Sequence, residues 1–101
     1  MTIEELEGRL DTEGIVRIPA AVWSEIASGY EEVERHSTFV AGDLLIVRAG
    51  SRLAAVEAPS SGERVVRRLA NSEEVRRFVG QRLDQYERMW DGCGCKVDYY
   101  S

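Results

Sequence analysis

The chain has 101 residues, 44% of them hydrophobic, with 18 acidic and 13 basic side chains, a net charge of −5 and a pI near 4.9. That length suits one domain, and the apolar fraction supports a packed core, which excludes a disordered chain. The acidic balance argues against nucleic acid or an anionic membrane as a partner, since both select basic surfaces.

No apolar run approaches the ~20 residues of a membrane helix. The N-terminus, Met1-Thr2-Ile3-Glu4-Glu5, lacks the basic and apolar blocks of a secretory signal. The expectation is a cytoplasmic protein with reduced thiols and no membrane partner. All but one of the basic residues are arginine, the exception being Lys96.

In chain order, Thr2 and Glu5 have the spacing of a capping box and predict a short helix through Leu6 and Leu10. It ends near Asp11-Thr12-Glu13-Gly14. Ile15-Val16-Arg17-Ile18 reads as a short strand, and Pro19 suits the first turn of a second helix. Val22, Trp23, Ile26, Tyr30 and Val33 then fall at helical spacing and predict a long amphipathic helix, with Gly29 marking a bend or an early end. On this reading Glu31, Glu32 and Glu34 are its solvated face, and His36 sits near its C-terminal end, where a cation complements the helix dipole.

Phe39-Val40 leads into a turn at Ala41-Gly42-Asp43. Leu44-Leu45-Ile46-Val47 has the unbroken apolar run of a strand covered on both faces. Gly50-Ser51 fits a two-residue hairpin turn, Arg52 to Ala58 the returning strand, Pro59-Ser60-Ser61-Gly62 a loop, and Arg64 to Leu69 a third strand. Asn71 and Glu74 repeat the capping signature. Val75, Phe78, Val79, Leu83, Tyr86, Met89 and Trp90 then line one face of a final helix that Gly92 would cap. The arginines at 64, 67, 68, 76, 77, 82 and 88 could face an acidic partner or phosphate. Pairing with nearby glutamates, as of Glu73 with Arg76 or Arg77, is the plainer reading.

The expected fold is therefore α+β. A single domain at 1–92 holds a three- to four-stranded, mainly antiparallel meander packed by two amphipathic helices. A Cys-Gly-Cys tail occupies 93–101.

That tail carries the densest chemistry. Cys93 and Cys95 are the only cysteines, separated by Gly94. Two thiols so close can share a metal ion or close a small, strained disulfide. They follow a helix C-terminus, and Asp91 and Asp98 lie nearby, so a low-pKa catalytic thiolate is not the natural reading, whereas a bound cation fits. A zinc or other thiophilic site needs about four ligands. His36 with Asp91 or Asp98 could complete it. So could the Cys pair of a second copy in a homodimer, or a larger protein partner. Structural filling by the cysteines stands beside these readings. Trp90, Lys96, Tyr99 and Tyr100 surround the pair, and two terminal tyrosines suit a docking tail.

No nucleophilic triad, phosphate loop or dinucleotide motif is present, so a non-enzymatic role is expected: a small metal-binding accessory protein, with an adaptor that docks a larger partner or a thiol–disulfide redox protein as alternatives. One further pattern is partial. Gly14-Ile15-Val16-Arg17-Ile18-Pro19 followed by Gly42-Asp43-Leu44-Leu45-Ile46-Val47 resembles the strand, helix and Gly-Asp turn of AbrB/SpoVT-type swapped-hairpin regulators. The stretch between Pro19 and Gly42 is longer here. That resemblance would imply a regulator of transcription that binds DNA.

Overall fold

A computed structural model of the chain describes residues 1–38 and 42–92, with backbone alone for 37, 38, 42 and 86–92. The elements run α1 (Ile3–Glu13), β1 (Ile15–Pro19), α2 (Ala20–Ile26), a 3₁₀ turn (Ala27–Gly29), β2 (Glu31–Thr38), β3 (Gly42–Ala49), β4 (Arg52–Ser60), β5 (Glu63–Leu69) and α3 (Ser72–Gly92). The strands form one open sheet in the order β1-β5-β4-β3-β2, antiparallel at every pairing. The α+β class is as expected, but with five strands and three helices among the described residues rather than three or four strands and two helices.

Local chemistry sets most boundaries. Thr2 Oγ1 accepts the Glu5 amide at 3.2 Å and starts α1, and Gly14, at φ 78°, ends it while donating its N–H to the Leu10 carbonyl. Gly50, at φ 63°, turns β3 into β4, with Ala49 opposite Arg52. Asn71 Oδ1 accepts the Glu74 amide at 2.9 Å, and Glu74 Oε1 accepts the Ala70 amide at 3.2 Å, which together start α3.

Alternation along the strands makes two cores. On one face, Val16, Ile18, Val47, Ala54, Val56 and Val66 pack under Leu6 and Leu10 of α1 and Trp23 and Ile26 of α2. On the other, Leu44, Ile46, Ala55 and Leu69 pack under Val75 and Val79 of α3, with Phe78 and Leu83 partly buried beside them. The run Leu44–Val47 is thus covered on both sides, as its composition predicts.

The long second helix is a correction. α2 stops at Ile26, and residues 31–38 form strand β2, so Val33 and His36 are strand residues. Two causes act together. Gly29 lies against α1, where an added Cβ would come within 1.8 Å of Ile3 Cδ1, so the chain passes α1 as bare backbone. Beyond it, β3 has an edge of N–H and C=O groups that must be paired, and β2 pairs them from Glu31 to Thr38. A register shift between Glu32 and Glu34 leaves Val33 bulged out and 44% exposed. Tyr30 fits both patterns, since it is buried at the mouth of the strand. Gly42 and Asp43, read as a turn, begin β3; residues 39–41 lie outside the described residues.

Candidate functional site

α3 is described as far as Gly92. Cys93, Cys95, Lys96, Asp98, Tyr99 and Tyr100 lie outside the described residues, and Trp90 and Asp91 are known only as backbone in the last described turn of that helix. His36 is the one proposed ligand whose side chain is described. It stands opposite Leu44, on the sheet face that α3 covers, and its Nε2 lies 2.9 Å from Glu34 Oε1. Among the described residues no group of three or more His, Cys, Asp and Glu side chains is placed to hold a metal ion. Nor is any described helix long and apolar enough to cross a membrane.

Two of the glutamates expected on a helix face, Glu31 and Glu32, instead hold arginines of β2 and β3. Glu31 meets Arg48 of β3, with Arg48 Nη2 donating at 2.6 Å, and Glu32 and Asp43 bracket Arg35, each at 2.6 Å. Glu73 and Arg77 form the expected i,i+4 pair at 3.5 Å on an exposed face, where it contributes little.

Sequence patterning misses the most buried polar cluster. Glu7 is 8% exposed and shares the inward stripe of α1 with Leu6 and Leu10. The Tyr30 hydroxyl donates to Glu7 Oε2 at 2.7 Å, and Arg68 Nη2 donates to Glu7 Oε1 at 2.7 Å. Arg52 lies 3.6 Å from the same carboxylate and donates to Asp11 at 2.7 Å. Burial, then the bond to Glu7, pushes the Tyr30 hydroxyl well above the ordinary tyrosine range. With both Glu7 carboxylate oxygens engaged and that side chain largely buried, this cluster locks α1 and the start of β2 to the sheet. The signal for it in the sequence is an acidic residue inside an apolar helical stripe.

On the opposite face, the guanidinium groups of Arg67 and Arg82 lie 5.2 and 5.0 Å from the centre of the Phe78 ring, and Arg82 also pairs with Glu57 at 3.0 Å. Arg67 Nε is buried there without a hydrogen-bond partner among the described residues. Two of the arginines read as a basic surface thus serve to pack the first half of α3.

No protein-family model, curated protein or solved structure matches this chain.

Proposed function

We propose that this chain is a small accessory protein that binds a thiophilic transition metal, zinc by default, through Cys93 and Cys95. What supports the reading is the sequence itself: two cysteines separated only by Gly94, directly after Gly92, the last described residue of α3. Asp91 and Asp98 flank the pair in sequence and favour a cation, and a metal deprotonates the thiols that bind it. Two thiolates supply half of a tetrahedral set. In this reading a second copy of the chain supplies the other half, because a two-fold axis completes the site with no further residue type. His36 with Asp91 or Asp98 is the alternative completion.

The test is elemental analysis with native mass of untagged protein, set against the double variant Cys93→Ser/Cys95→Ser. One metal per two chains, lost with the dimer in the double variant, is the expected result. One metal per monomer would move the remaining ligands to this chain's own side chains. Metal-free monomers with two titratable thiols would overturn ligation and leave the tail as a docking segment, with Trp90, Lys96, Tyr99 and Tyr100 as its anchors. A Cys93–Cys95 disulfide found instead would assign the pair to thiol–disulfide exchange.

A further inference from the structure

Among the described residues, the sheet face that carries α1 and α2 is not covered to its end. Beyond Trp23 of α2, a concavity of about 530 Å³ opens over the far ends of β2 to β5. That volume lies within the ~300–1,000 Å³ range of small-molecule sites. Its floor is apolar: Leu45 of β3 and Val56 and Ala58 of β4, with the Trp23 side chain as a wall.

The two rims differ in charge. On one, Arg35 is already neutralised, bonded at 2.6 Å to both Glu32 and Asp43. On the other, Arg64 of β5 has no carboxylate partner among the described residues. Its Nη1 donates to the backbone carbonyls of Ser60 and Glu63, at 3.0 and 2.8 Å, which anchors the guanidinium while leaving its remaining N–H groups for another acceptor. Glu63, the nearest acid in sequence, is turned to the other face, where it pairs with Arg17.

This rim is also held in place. The Ala20 amide at the start of α2 donates to the Gly62 carbonyl at 3.0 Å and ties the β4–β5 turn to the helix. The ladder between β4 and β5 shifts register between Glu57 and Ser60, so that Ala58 and Pro59 both line the concavity. A bulge of that kind re-aims side chains beside binding sites. An apolar floor, one aromatic wall and one uncompensated, backbone-anchored guanidinium complement a particular chemistry.

We propose that this concavity binds a small monocarboxylate with an apolar body, its carboxylate on Arg64 and the Ser60–Ser61 rim and its hydrocarbon part over Leu45, Val56 and Ala58. The proposal does not involve the cysteine tail and stands or falls separately from metal binding. The test is titration of the ¹⁵N-labelled full chain with 4-phenylbutyrate, and in parallel with its uncharged amide, 4-phenylbutyramide. The expected result is saturable shifts at Leu45, Val56, Ala58 and Ser61, with the amide and the Arg64→Gln variant each weaker by about tenfold or more. Arg64→Lys should retain part of the affinity, and Arg17→Gln, on the other face, all of it.

Should Arg64→Gln fail to fold, the comparison of acid with amide on the wild type and the Arg64→Lys titration still decide the matter. No saturable shift at 10 mM probe, on the order of the weakest affinities of interest, would overturn the site. Equal binding of acid and amide would overturn the role of Arg64, and shifts confined to α3 would place the ligand on the wrong face.

Discussion

On the α1/α2 face of the sheet, a buried carboxylate receives a tyrosine hydroxyl from the start of β2 and a guanidinium from β5, inside a wide apolar cluster. On the α3 face the apolar cluster among the described residues is smaller, and its polar component is two guanidinium groups against the flat of one phenyl ring, with Arg82 also paired to Glu57 at 3.0 Å. The first arrangement has directional bonds and tolerates one geometry. The second leans more on contact area, with one ion pair from Arg82 to Glu57 as its directional tie. The α1/α2 side therefore acts as the rigid half, with the proposed carboxylate site on its surface. Among the described residues the side chains that attach α3 lie in its first half, and the cysteine pair follows Gly92 in sequence.

The strongest way to break that contrast is Glu7→Leu. Removing one member of a buried, hydrogen-bonded ion pair costs about 3–5 kcal/mol, because the partner charge stays behind unpaired. Here the Tyr30 hydroxyl would lose its acceptor, and Arg68 would keep only the Leu53 carbonyl at 3.0 Å and Asp11 at 3.8 Å. Denaturant unfolding should show the loss across the whole domain. A drop under about 1 kcal/mol, the scale of an exposed pair, would mean that the cluster gives the face no special rigidity.

A smaller effect, with a size that depends on pH, is expected of Tyr30→Phe. The lost bond is to a charged acceptor and contributes about 1.5–3 kcal/mol. In the folded protein the hydroxyl holds its proton above the usual range, because burial and then Glu7 disfavour the phenolate. Its stabilisation is therefore complete below the unfolded tyrosine pKa of about 10 and is lost as pH rises through and beyond that value. Unfolding followed between neutral and alkaline pH should show wild type and variant converging at the alkaline end. A constant gap across that range would assign the stabilisation to packing of the ring, which lies 5.5 Å from Trp23, and not to the hydroxyl.

How far the sequence reveals this arrangement differs by region. Where short-range chemistry decides, it is legible: Thr2 with Glu5, Gly14, Gly50 and Asn71 with Glu74 mark real boundaries, and the unbroken run Leu44–Val47 marks a strand covered on both faces. Where a distant partner decides, it is not. Residues 31–38 carry no strong periodicity of their own and become a strand because β3 needs a neighbour. Glu7 reads as a charged residue on a helix until Tyr30 and Arg68, 23 and 61 positions away, close on it. Arg64 stands out from the other arginines only when the turn folds it onto the backbone carbonyls of Ser60 and Glu63. The cysteine pair is conspicuous in the sequence, yet it lies outside the described residues, so its role rests on the test of metal content.

The mildest probe of the contrast is Asn71→Ala at the start of α3. Loss of an N-cap side chain costs about 1 kcal/mol. Here the Glu74 amide would lose its acceptor at 2.9 Å, while the bond from the Ala70 amide to Glu74 Oε1 has no need of Asn71. If α3 is the loosely attached half, this cost falls on its opening alone: amide exchange should quicken at Val75, Phe78 and Val79 and stay unchanged at Leu6, Val56 and Val66. Uniform quickening at both sets would mean that the two faces open as one cooperative unit. In that event the lock around Glu7 would stabilise α3 as much as α1.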